Sequence, residues 1–321
     1  MAEYINIKGQ NIEVVASDPA NPTQGQIWYN STSNTLKGEG FQAAAWATSN
    51  NMNTARYFLG SSGTQTDTVA FGGTDGGSAL SATEEYNGAS WTSVTGLPTG
   101  ITQIGGLGIS SSAALAMGGF SPYLNTSYEY NGTSWSSGGT MATARTNPGG
   151  IGTQTAGLAM GGYAPGGSVN NSEEYDGSSW TAVGSLTRSP ATNRMQGSGI
   201  QTAGVAFGGA ASPQILTEEY NGSTWTAVNS MNTPRGGMAG AGTLQTAGIG
   251  FSGGGSSTAT ELYNGTSWST DASVNTARSQ GAGSGTQASA LFMGGETPGG
   301  ASNATEEYTG AAPTTLTITA S

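Results

Sequence analysis

Adjacent glutamates are the residues of this chain best suited to acid–base chemistry, and they occur as four pairs. The pairs are Glu84/Glu85, Glu173/Glu174, Glu218/Glu219 and Glu306/Glu307. Neighbouring side chains of a strand point to opposite faces of its sheet, so the two carboxylates of one pair cannot share a substrate. A catalytic pair is also expected once, in surroundings that separate its two pKa values. The repetition therefore predicts a structural role.

Arginines recur at one point of the same repeat. Arg56, Arg145, Arg235 and Arg278 begin the first strand of their units, and Arg188 or Arg194 does so in the fourth. The second unit, around "GLPTGITQ" (96–103), has none. Guanidinium groups pair well with carboxylates, which predicts ion pairs between units. The alternative is a ring of cations near the centre of the fold that would bind an anionic sugar or a carboxylate.

Tyrosine and tryptophan recur together, and such a set could stack on sugar rings. The residues are Tyr86, Tyr130, Tyr175, Tyr220, Tyr263 and Tyr308, with Trp46, Trp91, Trp135, Trp180, Trp225 and Trp268. A binding site needs one copy of such a pair, whereas a scaffold uses every copy. We therefore predict that both series pack between the repeated units.

Composition excludes several classes of function. The 321 residues include no histidine and no cysteine, which rules out disulfides, thiol chemistry and nucleophiles paired with histidine. Histidine- or cysteine-bound zinc and copper are excluded likewise, so no metal, cofactor or catalytic residue is predicted. A net charge of −11 argues against nucleic acid as a partner. Apolar runs are far shorter than a membrane span, and "MAEYINIKGQ" lacks a secretory leader.

The repeat itself predicts the fold. Successive tryptophans of the series are 43 to 45 residues apart, and an apolar run ending in a glycine pair, such as "LAMGG" (158–162), occurs six times. Asn-Gly and Asp-Gly turns divide each unit into four short antiparallel strands, A to D. One such sheet cannot bury its own faces, so we predict an all-β, six-bladed β-propeller, with seven blades as the alternative. Residues 43–48, with Trp46, are predicted to close the last blade, and the alternating tail 314–320 is the alternative.

The glycine pair, the tyrosine and the tryptophan five residues later resemble the kelch repeat from about residue 41 to 310. Sequence segments such as "GTQTAGLAMGG" (152–162) are similar to those of kelch-like propellers in tail-fibre and other structural proteins of marine bacteriophages. The segment "GQIWYNSTSNTLKGEG" (25–40) resembles short β-hairpins of phage fibre proteins. These resemblances imply a virion component that forms a homo-oligomer, in which 1–40 binds other virion proteins and 41–321 forms the propeller.

The loops between strands B and C differ most among the units, and recognition residues concentrate on such loops. They carry our candidate ligand-binding residues Asp75, Phe120, Tyr123 and Tyr163, which could bind a glycan or could pack over the loop bases. We therefore expect a non-enzymatic tail fibre or decoration protein that adheres to a host-surface glycan. The alternatives are a glycan-degrading tail-associated enzyme and a bacterial surface adhesin.

Overall fold

The computed structural model describes residues 12–23, 25–254 and 257–318 of the chain. Within these ranges every regular element is a β-strand, and no helix is long and apolar enough to cross a membrane. The strands form two compact units, one of Trp46–Thr309 and one from the chain on either side of it. The all-β propeller fold predicted from the sequence is confirmed.

The larger unit contains six four-stranded antiparallel sheets within the described residues. Strands A to D of sheet 1 are Gly60–Gly63, Thr68–Phe71, Thr83–Tyr86 and Trp91–Val94. Those of sheet 2 are Gly105–Leu107, Ala114–Met117, Thr126–Tyr130 and Trp135–Thr140. Those of sheet 3 are Gly149–Thr153, Ala156–Met160, Ser172–Tyr175 and Trp180–Val183. In sheet 4 they are Gln196–Ile200, Ala203–Phe207, Thr217–Tyr220 and Trp225–Val228. In sheet 5 they are Ala239–Leu244, Ala247–Phe251, Thr260–Tyr263 and Trp268–Asp271. In sheet 6 they are Ala282–Thr286, Ser289–Met293, Thr305–Thr309 and Ala45–Ser49.

The A strands form a closed ring around a central axis, because each contacts the next and that of sheet 6 contacts that of sheet 1. Crowding at the axis explains their glycines. A Cβ atom on Gly106 would lie 2.6 Å from the Ser61 nitrogen of the preceding sheet, and one on Gly283 would lie 2.4 Å from the Gly240 oxygen. Side chains could not be accommodated there without moving the sheets apart.

Sheet 6 is completed by Ala45–Ser49, which carries Trp46, and not by the C-terminal tail. The first described strand of the larger unit therefore pairs with its last, the Thr305–Thr309 strand. This arrangement joins the two ends of the ring by backbone hydrogen bonds.

The tryptophans and tyrosines lie at the joints between sheets. Each indole Nε1 donates a hydrogen bond of 3.0–3.2 Å to a Thr or Ser hydroxyl of the preceding sheet: Trp46 to Thr260, Trp91 to Thr305, Trp135 to Thr83, Trp180 to Ser127, Trp225 to Ser172 and Trp268 to Thr217. Five tyrosine hydroxyls donate to a glutamate of the preceding sheet: Tyr86 to Glu307, Tyr130 to Glu85, Tyr175 to Glu129, Tyr220 to Glu174 and Tyr263 to Glu219. Every joint therefore combines aromatic packing with a directional bond.

Five arginines form buried ion pairs, but within a sheet and not between units as the sequence suggested. The pairs are Arg56–Glu84, Arg145–Glu173, Arg188–Glu218, Arg235–Glu261 and Arg278–Glu306. The arginine lies in the D–A connection that enters the sheet, and the glutamate lies on strand C of that sheet. Arg145 also donates to the carbonyls of Gly161 and Asn171 at the base of the B–C loop. The pair therefore anchors the variable loop to the scaffold.

A glutamine of the A–B turn joins neighbouring sheets, which the sequence analysis did not anticipate. Its Nε2 donates to two carbonyls of the preceding sheet, as Gln201 does to Gly157 and Tyr175 at 3.0 and 2.8 Å. The equivalent residues are Gln65, Gln154, Gln245 and Gln287. Since these carbonyls belong to strands B and C, the "TQT" turns have an architectural role.

The second unit is a small sheet. Glu13–Val15 pairs in parallel with Ile27–Asn30, which forms the expected hairpin with Thr35–Gln42, and Ala312–Ile318 pairs with the long hairpin strand. The predicted boundaries, 1–40 and 41–321, therefore differ from those observed, because the tail forms hydrogen bonds with residues 36–42 and groups with the N-terminal segment. Residues 1–11 of the predicted attachment segment lie outside the described residues.

Candidate ligand-binding site

The B–C loops and the D–A connections meet at one end of the larger unit, which we call the loop face. Isolated bridges join them in four of the sheets, at Tyr57–Thr74, Thr102–Phe120, Thr146–Tyr163 and Ser279–Glu296. In sheets 4 and 5 the Ala210 and Gly254 nitrogens donate to the Asn193 and Gly236 oxygens instead. These contacts hold the two loop types in the same register in every sheet.

The position that follows the Gly-Gly pair, or the Ser252–Gly253 pair in sheet 5, contacts the D–A connection through its backbone in all six sheets but is a different residue in each. We call this set the outer ring: Thr74, Phe120, Tyr163, Ala210, Gly254 and Glu296. In sheet 3 Tyr163 begins a small ribbon, in which Tyr163–Ala164 pairs with Gly167–Ser168. The constant scaffold thus presents six variable side-chain positions on the loop face.

A second variable set lies on the D–A connections, shortly before each A strand. We call it the axial ring: Phe58, Gln103, Asn147, Arg194, Gly237 and Gln280. All six residues have φ between 48° and 64°, the left-handed region that favours glycine. Only one of the six is glycine, so five positions retain a side chain despite a conformational cost of about 1–3 kcal/mol each.

Backbone hydrogen bonds hold the axial ring in this conformation. Asn147 N donates to Gln103 O at 2.7 Å and Arg194 N to Asn147 O at 3.2 Å; on the other side Phe58 N donates to Gln280 O at 2.8 Å. Because the neighbours determine the backbone, the side chains can be varied without altering the fold. Clusters of such strained residues are typical of functional sites.

The two rings enclose a cleft of about 390 Å³ over sheets 2, 3 and 4. It is lined by Phe120, Tyr123 and Tyr163 on the outer side and by Gln103, Asn147 and Arg194 towards the axis. The rings of Tyr123 and Tyr163 are stacked, with centroids 6.3 Å apart and planes inclined by 21°, and Phe120 packs edge-on against Tyr123 at 5.4 Å. The cleft has an aromatic wall opposite a polar one.

Amide groups on the polar wall are available to a ligand. Asn147 Nδ2 donates to Gln103 Oε1 at 3.0 Å, which fixes both side chains. Gln103 Nε2 and Asn147 Oδ1 have no hydrogen-bond partner among the described residues, so the wall offers one donor and one acceptor. Polar groups of this kind, placed beside an aromatic wall, fix the orientation of a bound molecule.

Asp75 does not belong to this cleft. Its Oδ1 accepts hydrogen bonds of 2.8 Å from the Gly77 and Ser78 nitrogens of its own loop, and these bonds lower the pKa of the carboxyl. The residue thus caps a turn in the B–C loop of sheet 1. Of the four candidate residues, the structure brings together Phe120, Tyr123 and Tyr163 and leaves Asp75 apart.

Arg194 reaches across the axis. Its guanidinium carbon lies 4.8 Å from the centre of the Phe58 ring, which belongs to the opposite side of the ring of sheets. Burial lowers the pKa of Arg194, and the charge of Glu296 partly offsets this effect. Arg194 is therefore not the structural arginine of the fourth unit, a role that Arg188 has, but part of the loop face.

The sequence analysis missed most of the polar wall. Residues of the axial ring differ among units at equivalent positions, which was a usable signal. It was obscured in the fourth unit, where the connection from Leu186 to Met195 is two residues longer than that from Met141 to Pro148. The left-handed conformation itself has no signature in residues such as Phe58 or Gln103.

Within the described residues the cleft lining contains no carboxylate, and no cluster of three or more potential metal-ligating side chains occurs. Glycoside hydrolysis ordinarily requires two carboxylates about 5–10 Å apart across the scissile bond. Glu296 is on the outer ring of sheet 6, where it accepts a hydrogen bond from Gln280. The arrangement can bind a ligand by stacking and hydrogen bonding.

No family model and no curated protein matches the sequence. A solved structure of YjhT is similar, with a TM-score of 0.65 at 15% sequence identity, over 82% of this chain and 99% of YjhT. In all, 324 chains of solved structures match, so the fold is widely shared and the function must be argued from the site. At this identity the likeness shows a fold shared with YjhT and nothing beyond the fold.

Proposed function

We propose that this protein is a non-enzymatic binding protein whose loop-face cleft binds a glycan. The observation that supports this most directly is the stacked pair Tyr123 and Tyr163 beside the free amide groups of Gln103 and Asn147. The apolar face of a sugar ring packs on an aromatic side chain, while its hydroxyls need donors and acceptors at the edge. Such a site is expected to bind one or two sugar units weakly.

The biological setting we propose is the particle of a bacteriophage, as a tail fibre or decoration protein that adheres to a host surface. The support is the resemblance of the repeats and of residues 25–40 to phage structural proteins. Assembly through the N-terminal segment into particles with several copies would convert weak sites into firm attachment. Kelch-type repeats suit this role because their scaffold tolerates variation on the loop face.

The test is binding of purified full-length protein to immobilised oligosaccharides of host-surface polysaccharide. Tyr163→Ala should weaken binding about 10- to 100-fold, because it removes one half of the stacked pair. Phe41→Ala is the matched control, since Phe41 is 56% exposed in the N-terminal sheet and should leave binding unchanged. Shortening of the polysaccharide during incubation would instead support the glycan-degrading alternative.

A further inference from the structure

Arg194 is unique among the cations that the structure describes. Five arginines are paired with buried glutamates, and Lys37 pairs with Asp18 at 2.5 Å. Arg194 has no carboxylate within 4.0 Å in the described residues, and this sets it apart from the others. Its Nε is buried without a hydrogen-bond partner, as are those of the paired Arg56, Arg235 and Arg278. Its side chain donates no hydrogen bond within this part of the chain.

A partly buried cation without an anionic partner is costly, because an aromatic face such as that of Phe58 replaces only part of its hydration. The repeat offers cheaper solutions at this position, namely Gln103 and Gln280 in sheets 2 and 6 and Gly237 in sheet 5. An arginine in the left-handed conformation adds backbone strain to the desolvation cost. Both costs would be offset by a ligand that provides the missing anion.

We infer that the cleft takes an acidic saccharide, and that a carboxylate or sulfate of the sugar pairs with the Arg194 guanidinium while the ring stacks on Tyr123 and Tyr163. This rests on the proposed glycan-binding function and specifies its substrate class. The guanidinium has paired donors that match two oxygens of either anion. The Phe58 ring lies beneath the guanidinium, and Arg194 lines the cleft together with Asn147.

The charge of the protein opposes this recognition at long range. The net charge is −11, and Glu296 acts on Arg194 from the outer ring of sheet 6. Selectivity must therefore come from direct contact in the cleft. Two single substitutions should then have opposite effects, with loss of Arg194 weakening the binding of acidic sugars and neutralisation of Glu296 strengthening it.

The experiment measures binding of the full-length protein to three oligosaccharides of one backbone: neutral, carboxylated and sulfated. Arg194→Gln introduces the residue type found at the equivalent positions of sheets 2 and 6, and Arg194→Gly introduces that of sheet 5. Because the fold already accepts both residues at this position, both variants should have the melting temperature of the parent. We expect at least one acidic probe to lose about 10- to 100-fold in affinity, with the neutral probe changed less than about twofold. Glu296→Gln should raise affinity for the same acidic probe.

The outcomes separate this inference from the proposed function. A loss confined to the carboxylated or to the sulfated probe supports the inference and identifies the group. Equal loss on all three probes, or no loss on either acidic one, overturns it. If the parent binds the neutral probe as well as the acidic ones and Tyr163→Ala abolishes this, glycan binding stands and the acidic class is wrong. If the parent binds no probe, both fail.

Discussion

Six tyrosines at the sheet joints illustrate how a single hydroxyl contributes to this fold. Burial, together with the hydrogen bonds to Glu307 and Glu129, raises the pKa of Tyr86 and of Tyr175 to about 12, because ionisation would bury a charge and place it beside a carboxylate. The pKa values of Tyr130, Tyr220, Tyr263 and Tyr308 are raised as well, chiefly by burial. The neutral hydroxyl is thus part of the folded state.

We predict that stability falls steeply in alkali. In the unfolded chain these tyrosines ionise near pH 10, whereas in the folded protein they hold their protons up to about pH 12. The folded state binds more protons in this window, so the stabilisation is complete below pH 10 and is lost as the pH rises towards 12. Denaturant unfolding at a series of pH values should show a level free energy to about pH 9 and a decline above pH 10.

Tyrosinate absorbance gives an independent check. Six of the twelve tyrosines should ionise only together with unfolding. Tyr220→Phe should cost about 1–2 kcal/mol at neutral pH and reduce the alkaline decline, because Glu174 loses its donor and one titrating group disappears. Reversible ionisation of all the tyrosines near pH 10 in folded protein would contradict the prediction.

At the scale of the element, sheet 2 shows what the buried ion pair requires. Ile101 stands where four of the other sheets have the loop arginine, and Tyr128 stands where all five have the strand C glutamate. The glutamate also accepts backbone hydrogen bonds, as Glu173 does from the Ala142 and Thr143 nitrogens. In sheet 2 the equivalent of Ala142 is Pro98, which has no such donor. Three changes together replace the pair by apolar packing.

This pattern predicts strong coupling between the substitutions. Arg145→Ile alone should lower the free energy of unfolding by about 3–5 kcal/mol, because it leaves Glu173 buried without its cation. Adding Glu173→Tyr and Ala142→Pro reproduces the combination of sheet 2 and should recover much of that loss. The check is denaturant unfolding of the single and triple variants. If the triple variant instead loses the sum of the free energies of unfolding lost by the single variants, the three substitutions are not coupled and the prediction is wrong.

At the scale of the whole molecule, closure is the decisive contact. The Ala45–Ser49 strand completes sheet 6, and Trp46 donates to Thr260 across the joint with sheet 5. Without this strand the Thr305–Thr309 strand would become an exposed edge with unpaired backbone groups. The two ends of the larger unit are therefore held together by the same backbone hydrogen bonds that join neighbouring strands within a sheet.

We predict that a chain of residues 43–309 folds and that one of residues 50–309 does not. The first retains every strand of the six sheets, whereas the second lacks the outer strand of sheet 6 and the Trp46 side chain. Circular dichroism and denaturant unfolding should show one cooperative transition for the first chain and aggregation or a broad transition for the second. Trp46→Ala in the full chain is the matched point change, with an expected loss of about 3–5 kcal/mol. A cooperative fold of residues 50–309 would refute closure by this strand.

Much of this architecture is predictable from the amino-acid sequence, because its determinants are local. Glycine pairs, Asn-Gly turns and short apolar runs act within one unit of about 45 residues, and their repetition predicts the propeller and reduces the choice of closing strand to residues 43–48 or the tail. The aromatic residues of the cleft, Phe120, Tyr123 and Tyr163, were likewise predictable, since they lie on the B–C loops, which vary between units that are otherwise alike.

Only the tertiary structure decided which residues meet across the axis and at the chain ends. Arg194 contacts Phe58 although 135 positions separate them, and nothing near either residue signals that contact. The partner of the tail was not predictable from the sequence either, because its alternating pattern suits any open sheet edge. In the structure it pairs with residues 36–42 and not with sheet 6. Local patterns specify strands and turns, whereas the choice among distant partners depends on the closed ring, which exists only after folding.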